Sequence, residues 1–179
     1  YPASGVYRST DNGYTWDMPD PNFMSTVNSL CVTPNGNLFA GTSGGGVYRS
    51  TNNGSNWLQA QPYASVVSLT AAPNGYVYGC FNSVSGGQNG IYRSTNYGVS
   101  WSIIGLPNTD YFYVKSNSAG HIFAGGFYGS GVLRSTNNGL NWSEVNSGIF
   151  NKMITNIFID NAGFGYAGTY FGGLYKTNI

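Results

Sequence analysis

The sequence is poor in charge. Seven residues of 179 are Lys or Arg and six are Asp or Glu, so 7% are charged, against roughly 25% in ordinary soluble domains. A net charge of +1 gives no long-range field for nucleic acid or anionic lipid, so neither is expected as a partner. Arg8, Arg49, Arg93, Arg134 and Lys176 recur at one repeat-equivalent position, which leaves only Lys115 and Lys152 elsewhere. Cations fixed by a repeat belong to the fold rather than to a phosphate-binding patch. Cysteine is scarce too. Cys31 and Cys80 lie far apart and match no metal spacing, so free thiols or one disulfide stay open and no metal or cofactor is expected. No apolar run approaches the ~18 residues of a membrane-spanning helix, so no membrane insertion is expected. The start at Tyr1, without an initiator Met or a signal-peptide pattern, reads as a processed product or a piece of something longer.

Apolar residues make up 41% of the chain, with 15 Tyr, 10 Phe and 4 Trp. That is ample for one core, and residues 1–179 are expected to form a single domain. With so few charges, solubility must rest on Asn, Ser, Thr, Gly and Tyr hydroxyls. Such a surface suits a secreted, extracellular or cell-surface protein.

The chain repeats itself. Gly5, Gly46, Gly90, Gly131 and Gly173 are spaced by 41, 44, 41 and 42 residues, and Trp16, Trp57, Trp101 and Trp142 keep the same step. A period of ~40–45 residues with short alternating apolar runs and no helical periodicity points to an all-β propeller of four-stranded antiparallel blades. One unit reads as strand 27–33, turn 34–36, strand 37–42, a link, strand 46–50, turn 51–54 and strand 55–59. The repeats run over about 20–59, 62–103, 107–145 and 150–177, with 5–16 as an N-terminal hairpin. Face-to-face packing of neighbouring units supplies the core that a lone unit lacks.

One phrase recurs in the N-terminal hairpin and the first three units, and the fourth unit has no copy: "RSTDNGYTW" from Arg8, "RSTNNGSNW" from Arg49, "RSTNYGVSW" from Arg93 and "RSTNNGLNW" from Arg134. Asn-Gly favours tight turns because Gly, and to a lesser degree Asn, tolerates positive φ. The Asp11, Asn52, Asn96 or Asn137 side chain can bond N–H groups across its own loop, and Ser9, Ser50, Ser94 and Ser135 can do likewise. The Trp is expected on the fourth strand, where burying ~150–250 Å² of ring contributes on the order of 4–6 kcal/mol. The phrase is a folding device.

The phrase resembles the Asp-box, or bacterial neuraminidase repeat, whose pattern is Ser-x-Asp-x-Gly-x-Thr-Trp. Ser9, Asp11, Gly13, Thr15 and Trp16 match it in full. The other copies keep Ser50, Gly54 and Trp57, then Ser94, Gly98 and Trp101, then Ser135, Gly139 and Trp142. They carry Asn for Asp, and Asn56, Ser100 or Asn141 for Thr. The resemblance implies a β-propeller with the box between the third and fourth strands of each blade, distant from any functional site. It spans sialidases, xyloglucan-degrading glycosidases, sortilin-type receptors, photosystem assembly factors and secreted bacterial repeat proteins. A sialidase would further need an arginine cluster, a Tyr–Glu pair and a Phe-Arg-Ile-Pro signature. That signature is absent, and all four arginines sit in the repeat.

A glycosidase needs two carboxyl groups flanking the scissile bond. The acids are Asp11, Asp17, Asp20, Asp110, Glu144 and Asp160. Asp11 belongs to the box, and Asp17 and Glu144 sit beside a box Trp. Asp20 and Asp110 lie in comparable connections of different units and are the only pair worth testing. His121, the single histidine, begins a second strand and reads as a surface or packed residue. The expectation is a protein without catalysis.

Antiparallel meanders place the repeated turns at one end of every unit and the variable loops at the other. The variable end carries Phe23, Tyr63, Tyr111, Phe127, Tyr128, Phe150, Tyr170 and Phe171 beside Asn and Gln. Rings with polar amides suit a sugar- or protein-binding surface. The chain opens and closes on a third strand. The N-terminal hairpin could therefore close a four-bladed ring, the chain could be an arc of a larger propeller, or the hairpin of one copy could complete the last blade of the next. The expectation is a non-catalytic structural or interaction module, self-associating head to tail or binding other extracellular proteins. A glycan-binding module, alone or within a polysaccharide-active enzyme, is the alternative.

Overall fold

The computed structural model describes residues 4–62, 64–83, 88–105, 111–126 and 128–178, and all regular structure in them is β. Four antiparallel sheets follow one another along the chain. The first holds β1 (Val27–Val32), β2 (Leu38–Thr42), β3 (Gly46–Ser50) and β4 (Leu58–Gln61). The second holds β5 (Ala64–Ala71), β6 (Val77–Ser83), β7 (Gly90–Ser94) and β8 (Ser102–Ile103). The third holds β9 (Tyr111–Ser116), β10 (Ile122–Gly126), β11 (Gly131–Ser135) and β12 (Ser143–Glu144). The fourth has three strands, β13 (Ile154–Ile159), β14 (Phe164–Thr169) and β15 (Gly173–Asn178). Each sheet is an up-and-down meander in chain order.

The first turn of each meander is set by local chemistry. Gly36 at φ 84° and Gly75 at φ 82° sit in the left-handed region, where a side chain is strained. Their N–H groups donate to Thr33 and Ala72, and the chain closes with Thr33 N–H on the Asn37 carbonyl and Ala72 N–H on that of Tyr76. The sheets then stack: β1 and β2 meet β5, β5 and β6 meet β9, and β9 and β10 meet β13.

The core lies between sheets. Phe39, Val47, Val66, Leu69 and Val77 fill the first interface, Tyr78, Ile91, Val114 and Ile122 the second, and Phe123, Val132, Ile154 and Ile157 the third. Bulges between Val27 and Ser29 and between Val66 and Ser68 break the inner ladder. The hydroxyl of Ser29 accepts the Leu69 N–H of the next sheet at 2.9 Å, and that of Ser68 accepts the Val114 N–H at 3.3 Å. Gly41 and Gly125 let the next sheet approach, since a Cβ there would meet Val66 or Ile154 at 2.7 Å. Cys80 is buried within the second interface. Both cysteines are free thiols, with desolvation pushing Cys31 up to about 12 and Cys80 higher still.

Two expectations need correction. Trp57, Trp101 and Trp142 immediately precede the fourth strands instead of lying on them, because each is held by the packing between sheets. The N-terminal hairpin is no strand pair but a single bridge, Arg8 to Asp17. It has a sheet on one side only.

Candidate functional site

The repeated phrase builds the same turn four times. Ser9, Ser50, Ser94 and Ser135 accept the N–H of Gly13, Gly54, Gly98 and Gly139 at 2.8–2.9 Å. Each Ser hydroxyl donates to the Asp11 or Asn side chain two residues on, at 2.7–3.0 Å. That side chain in turn accepts the N–H of Thr15, Asn56, Ser100 or Asn141 at 2.9–3.0 Å. Thr15 adds its hydroxyl to Asp11 at 2.6 Å, and this bond is the main reason the Asp11 carboxyl is held down to about 2. Asn12, Asn53, Tyr97 and Asn138 all adopt φ of 54–60° ahead of the glycine.

These left-handed residues have a second use. Arg8 donates to the Asn53 carbonyl at 3.1 Å, Arg49 to that of Tyr97 at 2.8 Å and Arg93 to that of Asn138 at 2.7 Å. Each arginine thus reaches the turn of the following sheet. The tryptophans complete the junctions. Trp101 and Trp142 donate Nε1 to the Gly98 and Gly139 carbonyls at 3.2 and 3.1 Å, and their rings pack on the interfaces with the preceding sheets. Trp57 is 8% exposed, whereas Trp16 is 64% exposed.

The acids are dispersed in structural roles. Asp20 is buried: one carboxylate oxygen accepts the Trp57 N–H at 2.9 Å and the other the Asn22 N–H at 3.1 Å. It ties the approach to the first sheet onto the first buried tryptophan. Asp17 pairs with Arg8 at 3.2 Å, and Glu144 with Lys152 at 3.5 Å. Asp160 caps the first turn of the fourth sheet, and the Phe164 N–H is the largest of the bonds that lower its pKa. Asp110, the proposed companion of Asp20, lies outside the described residues. Among the described residues no three His, Cys, Asp or Glu gather to hold a metal.

The loop-end aromatics divide. Phe23 is in the interior, 4.8 Å from the Tyr48 ring and stacked on Trp57 at 5.2 Å. The sequence places it on the surface because it lies in a variable loop. Tyr63 and Phe127 lie outside the described residues, as does the Tyr111 side chain. Tyr128, Phe150, Tyr170 and Phe171 are exposed on three loops of the third and fourth sheets. Those loops are tied together: Gly131 N–H donates to the Lys152 carbonyl, Tyr170 N–H to that of Met153, and Asn151 Nδ2 to that of Tyr170. The Tyr170 and Phe171 rings are 4.1 Å apart, and Phe171 holds φ 61°.

A groove of about 460 Å³ runs between the third and fourth sheets, walled by Phe123, Val132, Ile157 and Ile159 and edged by Arg134 and Lys176. Sequence reasoning missed both the arginine-to-carbonyl contacts and this groove. The fixed Arg position was the available signal for the first.

No family model matches the sequence, and no curated protein matches it significantly. Solved structures do. YCF48 bound to D1 peptide superposes with a TM-score of 0.70 at 16% identity, covering 99% of this chain and 59% of that one. The GH74 xyloglucanase from Xanthomonas campestris gives 0.67 at 16% identity, covering 86% of this chain and 29% of its own. The GH74 enzyme from Niastella koreensis gives 0.65 at 20%, covering 86% and 28%. The chain therefore spans less than two thirds of these proteins. At such identities the likeness is one of fold, and the fold is of the propeller type.

Proposed function

We propose that this chain is a non-catalytic propeller module of the Asp-box type that works extracellularly by binding, through the loop end of its third and fourth sheets and through head-to-tail contact with other copies. The observation that carries the binding role is the exposed set Tyr128, Phe150, Tyr170 and Phe171 on three tied loops. Phe171 is nearly fully exposed and stands at the left-handed turn position that the first and third sheets give to Gly44 and Gly129, so a bulky ring is presented where those sheets have none. One bonding pattern repeated at all four turns supports the Asp-box reading. The absence of catalysis is supported by the acids, each described one being engaged in a structural contact. The sparse charge supports an extracellular place.

A second reading, a glycan-binding module, is favoured by the same rings beside Asn151, which offer flat apolar faces with amide groups at their margin. The structural likeness includes both a protein bound to a peptide and xyloglucanases.

Titration of the chain with extended peptides and with soluble β-glucan oligosaccharides tests the two readings. Peptide or protein binding that weakens on Tyr170→Ala and Phe171→Ala supports the first. Oligosaccharide binding with the same sensitivity supports the second. Hydrolysis of the oligosaccharide, abolished by Asp20→Asn in a folded variant, would overturn the claim of no catalysis.

A further inference from the structure

The two ends of the row of sheets are complementary in detail. At three junctions a repeat arginine donates to the carbonyl of the left-handed turn residue in the next sheet. Arg134 holds the same position in the third sheet and edges the groove; its Nε is unpaired like those of Arg8 and Arg93, but among the described residues it has no counterpart of their bonds to a turn carbonyl. The groove walls repeat those of a filled junction. Phe123 pairs with Arg134 across its sheet as Phe39 pairs with Arg49, and Val132 and Val47 precede those arginines by two residues. Phe39 and Val47 belong to the cluster on which Trp101 packs. The groove is thus shaped like the seat of a box tryptophan.

Beyond the groove, β15 carries Leu174, which is 72% exposed although its counterparts Val47, Ile91 and Val132 are all buried. Lys176 on the same strand lies over the Phe164 ring at 3.9 Å. At the opposite end the hairpin presents Trp16 and Tyr14 to solvent and holds the turn residue Asn12 at φ 58°. Asp17 is bound there by Arg8, the repeat counterpart of Lys176. Val6, the counterpart of Leu174, packs on the cluster of Phe23 and Trp57.

We propose that the groove and β15 of one copy take the box hairpin of a second copy. Trp16 enters the groove, the Asn12 carbonyl accepts from Arg134, and the Tyr14–Asp17 segment lies along β15 as its fourth strand. Lys176 and Leu174 replace Arg8 and Val6 of the second copy, so Asp17 exchanges one cation for another and Leu174 is buried on Phe23 and Trp57. The segment displaced, Gly5–Arg8, is held by one bridge, one ion pair, the Arg8–Asn53 bond and Val6. The exchange replaces each of these with an equivalent contact and adds the seating of Trp16. The contact is heterologous, so repetition gives a closed ring or an open filament. This inference rests on the head-to-tail part of the function proposed above.

Sedimentation velocity of the 179-residue chain over about two decades of concentration tests it. The mass is expected to rise with concentration. Arg134→Ala and Trp16→Ala should each weaken self-affinity by ~10-fold or more, with unfolding midpoints unchanged. Asp17→Lys and Lys176→Asp should each give monomers alone and co-assemble in alternation when mixed, because every junction between unlike copies then pairs opposite charges. Wild-type protein that stays monomeric throughout overturns head-to-tail association altogether. A mass that rises equally in all four variants, with no gain on mixing, leaves self-association standing and overturns this interface.

Discussion

The phrase ending in Trp16 and the phrase ending in Trp57 close with the same hydrogen bonds and meet opposite fates. Both turns lock a Ser hydroxyl between a Gly N–H and an Asp or Asn side chain within 2.7–2.9 Å. Trp57 is nevertheless buried against Phe23 with its N–H on Asp20, and Trp16 stands in solvent. The first copy even has the better turn, with a carboxylate that accepts the Thr15 hydroxyl at 2.6 Å where Asn52 donates to Asn56 at 3.0 Å. Local chemistry makes the turn, and the neighbouring element makes the burial. The clasp is therefore a junction device: a tryptophan, an arginine and a left-handed carbonyl that hold two successive sheets together.

That contrast can be broken most severely at the ring. Trp57→Ala should destabilise the chain by about 3–5 kcal/mol in urea denaturation, through lost burial and a cavity, whereas Trp16→Ala should stay within about 0.5 kcal/mol. Asp20→Ala strands the Trp57 N–H in the interior and should cost about 2–3 kcal/mol in the same measurement. Arg93→Ala removes a charged donor from the Asn138 carbonyl and should cost about 1.5 kcal/mol, while Arg134→Ala should cost under about 0.5 kcal/mol in the monomer. The smallest effect is acid loosening of the first turn alone. Asp11 is depressed to about 2, so its contribution is complete above the ordinary value of about 4 and is lost as pH falls through about 2. The Thr15 amide should lose protection over that range, and the Asn56, Ser100 and Asn141 amides, which donate to carboxamides, should not.

Much of this fold was legible because its signals are local. Gly36, Gly75 and the Asn-Gly turns announce themselves by backbone preference, and β3 falls where the sequence places it. What was not legible depends on contacts between units. Nothing in "PDPNF" distinguishes a solvated Asp20 and a surface Phe23 from a buried pair gripping Trp57, because the grip is 37 residues away. The arginine position was visible and its acceptor was not, since the acceptor is a main-chain carbonyl 45–48 residues on. Loop position grouped Tyr128, Tyr170 and Phe171, whose rings are exposed, with Phe23. The same reasoning failed for Phe23, where the loop folds inward.

Amide hydrogen exchange at the four turn glycines tests the central claim most directly. Gly13, Gly54, Gly98 and Gly139 donate to serine hydroxyls at nearly one distance, with only the Gly13 bond in an exposed setting. If burial between sheets is what fastens the clasp, the Gly54, Gly98 and Gly139 amides should exchange ~100-fold or more slowly than that of Gly13 in dilute protein. Equal protection at all four would contradict the account and make the phrase stable on its own.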